Sequence, residues 1–109
     1  MTMFSFRHLG VRLGVAAIMA TQISVARCED AAVMIDNFTF EPAQLTIKAG
    51  STVTWKNRDD IPHALVSVGH FKSKVLDTDD SYAFSFTQAG SYSYFCSLHP
   101  HMTGTIKVE

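Results

Sequence analysis

The sequence predicts an all-β sandwich built from short strands. Apolar residues alternate with polar ones at period two along most of the chain after residue 30, the pattern of strands with one buried face. Turn-forming clusters break this alternation at short intervals. No internal repeat or low-complexity segment competes with that reading. Many short strands joined by turns pack most readily as two facing sheets.

The elements follow in order. Val33 and Ile35 point to one face, and Glu41-Pro42 marks the turn after them. Leu45 and Ile47 form the next pair, closed by Ala49-Gly50. Val53 and Trp55 lead into a turn cluster from Asn57 to Asp60. The stretch from Val66 to Val75 shows no clear alternation, because Gly69-His70 interrupts it. After a second cluster from Asp77 to Asp80, Tyr82, Phe84 and Phe86 alternate with Ser81, Ala83 and Ser85. Gln88-Ala89-Gly90 turns the chain into Tyr92 and Tyr94, again spaced by serines, and Ile106 and Val108 close it.

A chain of 109 residues allows one folded domain. Its first part reads as a secretory leader. Arg7, His8 and Arg12 make a positive start, Leu13 to Ala20 is a short apolar run, and Ser24-Val25-Ala26 offers small residues for cleavage. The uncharged stretch between Arg12 and Arg27 has 14 residues, short of the roughly 20 that a membrane-spanning helix needs. Arg27 before Cys28 does not suit lipid attachment at that cysteine. The expected division is a signal peptide over residues 1–26 and a domain over 27–109, exported to the periplasm and free of the membrane after cleavage. Without the leader, seven Lys and Arg face ten Asp and Glu, and no basic stripe appears. That composition excludes a nucleic-acid partner.

Chemistry concentrates in Tyr94-Phe95-Cys96-Ser97-Leu98-His99-Pro100-His101-Met102. Within seven residues this run holds a thiolate, an imidazole and a thioether, and His63 in Ile61-Pro62-His63 offers a second imidazole. One Cys, two His and a weak Met form the donor set of a blue-copper electron-transfer site. Bland readings exist for each residue: Cys96 as a small buried hydrophobe, Met102 as core filler, His63 as a turn-capping side chain. Their joint spacing favours the metal. Zinc is poorly served by a lone thiolate with a Met. Haem attachment needs Cys-x-x-Cys-His, and position 99 is His. A strand ending at Tyr94-Phe95 would hold Cys96 at one end of the sandwich, with His99 and Met102 swung round it and His63 arriving from a neighbouring loop. His101 is expected beside the site without binding, and His70 in a solvated loop. With Cys96 a ligand, Cys28 stands alone, a surface residue or the seat of an intermolecular disulfide.

Phe40-Glu41-Pro42, Leu45 to Gly50, Thr52 to Asn57, Pro62-His63, Gly90 to Tyr94 and the Cys-x-x-His-x-x-Met loop together resemble the cupredoxins, most closely their amicyanin branch. The likeness covers about Asp36 to Glu109. It implies a Greek-key sandwich of about seven to eight strands. It also implies one type 1 copper ion cycling between Cu(II) and Cu(I), held by His63, Cys96, His99 and Met102. The expected protein is a monomer carrying single electrons between redox partners, and it is not an enzyme. Amicyanins take electrons from an amine dehydrogenase and give them to a c-type cytochrome. Docking is expected around His99, within a collar of Leu98, Pro100, Ile61 and Pro62. Copper oxidases and nitrite reductases need histidines flanking the Cys, and here Phe95 and Ser97 flank it. Copper binding or delivery without electron transfer is the alternative. Two positions depart from the pattern. Ala64 replaces an Asn whose side chain would tie the ligand loops near Ser97, and His101 replaces an apolar aromatic residue. The Ala64 N–H is still expected to reach the Cys96 sulfur.

The leader makes one testable expectation. Protein recovered from its native host should begin at or near Arg27 by mass spectrometry. An intact leader would overturn the division at Ala26.

Overall fold

The computed structural model describes residues 29–109. The leader over residues 1–26 and Cys28 lie outside the described residues. Among the described residues there is no helix, and the chain forms nine strands. They are β1 (Ala31–Asp36), β2 (Thr39–Glu41), β3 (Gln44–Ile47), β4 (Ser51–Asn57), β5 (Leu65–Ser67), β6 (Phe71–Lys72), β7 (Ser81–Phe86), β8 (Gly90–Cys96) and β9 (Thr103–Val108).

Two sheets face each other. One has the order β2-β1-β4-β7, the other β3-β9-β8-β5-β6. The chain changes sheet after β2, β3, β4, β6 and β7, so sequential neighbours often lie in opposite layers. Two pairings are parallel, β1 with β4 and β3 with β9; the rest are antiparallel. This is the predicted all-β sandwich with more strands than expected. The elements that no alternation announces are the three-residue β2 and β5 and the two-residue β6, too short to show a period. β6 exists because Gly69 takes φ +80°, a conformation costly for other residues. The chain there reverses to pair Ser67 with Phe71.

The core lies where the alternating faces meet. Val33, Ile35, Val53, Trp55 and Phe86 come from one sheet, and Ile47, Leu65, Phe71, Tyr94, Ile106 and Val108 from the other. Trp55, fully buried, stands at the centre. Its ring centroid is 5.4 Å from both Phe71 and Tyr94 of the opposite layer and 5.9 Å from Tyr82 beside it. Leu45, Tyr82, Phe84 and Tyr92, which sequence alternation places inward, are half-buried at the margins of this core.

β4 carries a polar residue into the interior at its end, and that residue organises the site loop. Asn57 is fully buried, yet every group finds a partner. Its Nδ2 donates to the Ile61 and Leu76 carbonyls, both at 2.9 Å, and its Oδ1 accepts the Asp59 N–H at 2.9 Å. A buried amide satisfied this way fixes one loop conformation.

Tyr94 packs directly over its cross-strand partner Gly104. A Cβ at position 104 would sit 2.5 Å from the Tyr94 phenol oxygen, so only glycine fits beneath the ring. Burial pushes the Tyr94 hydroxyl up to about 12, with the Trp55 indole pulling weakly the other way. The unfolded phenol titrates near 10.0. The folded chain therefore holds this proton longer, and Tyr94's contribution is complete below pH 10 and lost as pH rises through 12. One pH unit is worth about 1.4 kcal/mol, so the loss approaches about 3 kcal/mol. Urea unfolding as a function of pH should show this decline, and Tyr94→Phe should flatten it.

Candidate metal centre

Three ligand candidates come from the β8–β9 connection. Cys96 is the last residue of β8, fully buried and paired with Leu65 of β5. Its N–H donates to the Met102 carbonyl at 3.1 Å, and the Met102 N–H donates to the His99 carbonyl at 2.9 Å. These two backbone bonds close the loop on itself. The Ser97 N–H reaches the Ala64 carbonyl at 2.9 Å and ties this loop to the one carrying His63. The ligand loops are thus joined through backbone, and the lost Asn side chain does not leave them untied. The Ala64 N–H lies 3.5 Å from the Cys96 Sγ, as expected from the sequence.

His63 is held from both sides. Its N–H donates to the Leu76 carbonyl at 3.1 Å, and its carbonyl accepts the Leu76 N–H at 2.7 Å. Its fully buried ring places Nε2 2.7 Å from Asp59 Oδ2. The carboxylate fixes the proton on Nε2 and leaves the Nδ1 lone pair free. That Nδ1 is 3.6 Å from the Cys96 Sγ, and His99 Nδ1 is 3.8 Å from the same sulfur.

Donor atoms of His63, Cys96 and His99 all lie within 4.8 Å of one another. A sulfur about 2.3 Å and a nitrogen about 2.0–2.1 Å from a shared ion, at tetrahedral to trigonal angles, stand about 3.5–3.8 Å apart. The two sulfur–nitrogen distances fit one small ion between them. A thiolate with two imidazoles and a nearby thioether suits copper in both oxidation states. Met102 is buried beside them at 5 % exposure, while His99 is half-buried. His101 is exposed. His70 is exposed too, with its ring 4.8 Å from Tyr92, outside the donor cluster.

Two residues of this site escape sequence reading. Asp59 falls in the cluster from Asn57 to Asp60 that reads only as a turn. Its carboxylate takes His63 Nε2 and Phe38 N–H (3.1 Å) on Oδ2, and the Asn37 N–H (2.7 Å) on Oδ1. Burial pulls this carboxyl upward, but the bonds from His63, Phe38 and Asn37 outweigh it and hold it below its ordinary value. The second residue is Phe38. It sits in the two-residue turn between β1 and β2, with its ring edge-on to His63 at 5.9 Å and to His99 at 5.2 Å. The signals available were the i, i+4 spacing of Asp59 and His63, and an aromatic residue in the turn after Asn37.

A family profile described as a cupredoxin-like domain matches residues 10–108. The chain belongs to the cupredoxin-like family. Amicyanin from Paracoccus versutus is 39% identical over 81 residues, covering 69% of this chain and 61% of its own length. Amicyanin-alpha from Methylorubrum extorquens is 34% identical over 107 residues, covering 89% of this chain and 85% of its own. Among solved structures, a purple cupredoxin from Nitrosopumilus maritimus superposes with a TM-score of 0.71 at 34% identity, over 73% of this chain and 100% of the other.

Within this cupredoxin the Asp59 bonds should be measurable. Asp59→Ala leaves two turn amides and the His63 Nε2 without their acceptor, and each unsatisfied group costs about 1–3 kcal/mol if it finds no water. Loss of such an outer partner should weaken metal binding about 10–100-fold. Urea unfolding and copper competition titration check the two effects. Asp59→Asn, which keeps one carbonyl oxygen, should lie between.

Proposed function

We propose that this cupredoxin is an exported, mononuclear type 1 copper protein that carries single electrons between larger redox proteins. Its ligands on this reading are His63, Cys96, His99 and Met102. The observation that carries the proposal is the convergence of one thiolate and two imidazole nitrogens at 3.6 and 3.8 Å, at the loop end of a rigid sandwich. Amicyanins and plastocyanins, the relatives this chain matches, are electron carriers rather than enzymes.

Bound copper supplies a one-electron couple between Cu(II) and Cu(I). The chain's own residues supply its constancy. Cys96 offers the soft donor that favours Cu(I), and the imidazoles serve both states. Asp59 keeps His63 in one tautomer, and the Ala64 N–H directs a donor at the sulfur. Met102 stands next to the donors on a loop closed by its own backbone. His99, half-buried while the other donors are buried, is the route by which an electron enters and leaves.

Leu98, Pro100 and Pro62 are exposed and Ile61 half-exposed, in the two segments that carry the histidines. A small apolar face of that kind suits the brief encounters of redox proteins. On this proposal the partners are redox proteins that dock around His99, with His101 setting this face apart from the one amicyanins offer an amine dehydrogenase and a c-type cytochrome; the protein is a monomer, and the compartment is the periplasm.

Adding Cu(II) to the protein should give an intense blue or violet colour, because a short copper–thiolate bond absorbs strongly. Cys96→Ser should abolish it while the fold persists. A colourless complex of the unaltered chain would overturn the assignment. Fast electron self-exchange would support the carrier, and rapid surrender of copper to a chelator would support delivery instead.

A further inference from the structure

We propose that Phe38 is a positioning residue that walls the His99 ring in place, doing by packing for this imidazole what Asp59 does for His63 by hydrogen bonding.

The backbone at Phe38 is the first sign. Asn37 and Phe38 have φ of 52° and 60°, and Asp36 pairs with Thr39 across them. This is a two-residue hairpin connection with both central residues at positive φ. Glycine is the comfortable residue at its second position, and a bulky side chain there is an outlier. Such strain persists only where the surroundings over-determine it, and it concentrates at functional sites.

The surroundings are visible. The Asn37 and Phe38 amides donate to the two oxygens of Asp59, and the oxygen that takes Phe38 also takes His63 Nε2. One carboxylate therefore fixes the turn relative to the first imidazole. The Phe38 side chain makes no use of the core and stays 50 % exposed. It meets both imidazoles edge-on, with interplanar angles of 90°. His63 and His99 themselves stand 5.0 Å apart, so the three rings form a closed triangle.

His99 has the greater need of a wall. It is half-exposed, and among the described residues no hydrogen bond holds its Nε2. Its Nδ1 lies 3.8 Å from the Cys96 Sγ, and the rest of the ring is oriented by its ring neighbours, Phe38 and His63. An exposed aromatic that served only to touch partners would need neither the strained turn nor the shared carboxylate.

The inference rests on the copper reading for its consequence but not for its geometry, and the test separates the two. Phe38→Gly suits the positive φ, so the variant should unfold at the same or a higher urea concentration than the parent. Its His99 ring should nevertheless become mobile. NMR relaxation of the two imidazoles, recorded without metal, should show motion gained at His99 and none at His63. In the copper-loaded protein, release of Cu(I) to a chelator should quicken about tenfold, the lower end for loss of an outer partner. Phe38→Tyr should restore both. An unchanged His99 ring in Phe38→Gly would overturn the proposal whatever the metal does. So would faster copper release that merely tracks lost stability. A parent protein that binds no copper while the ring effect appears would strike at the copper reading alone.

Discussion

A carboxylate with three donors holds the ligand end of this sandwich together. Asp59 receives two amides of the β1–β2 turn and the ring of His63. Its own N–H and carbonyl are also taken, by the Asn57 Oδ1 and the Thr78 hydroxyl. Desolvating a charge is costly unless it is fully hydrogen-bonded. Here the partners come from the β1–β2 turn, the His63 loop and the loop before β7, so each segment's conformation becomes a condition of the others. Asn57, buried at the end of β4, is the link between this network and the apolar core.

The second constraint is backbone closure. Cys96 to Met102, Met102 to His99, Ser97 to Ala64 and His63 to Leu76 are all main-chain bonds. They place the donors without depending on flexible side chains. A site arranged this way gives a metal little room to rearrange when its charge changes, which suits an electron carrier more than a protein that must hand its metal over.

Legibility followed periodicity. β4, β8 and β9 were readable because each runs six residues or more with one face buried. The donor candidates Cys96 and His99 of the β8–β9 loop were readable because their spacing is local. β2, β5 and β6 were not, since two or three residues cannot display a period. The backbone tie between Ser97 and Ala64 was invisible for another reason: any residue can make it, so no side chain announces it. Asp59 and Phe38 lie 21 positions apart and meet only because β1 and β4 run side by side in parallel, and a single sequence gives no register for such a pair.

The position of β9 has a consequence for the life of the chain before it folds. This last strand lies inside its sheet, between β3 and β8, and not at an edge. Until residue 108 has been synthesised, β3 has no neighbour and β8 lacks one of its two. Long-range parallel pairings of this kind also form slowly. The sheet therefore closes only when β9 enters between β3 and β8, whatever the other strands have done before.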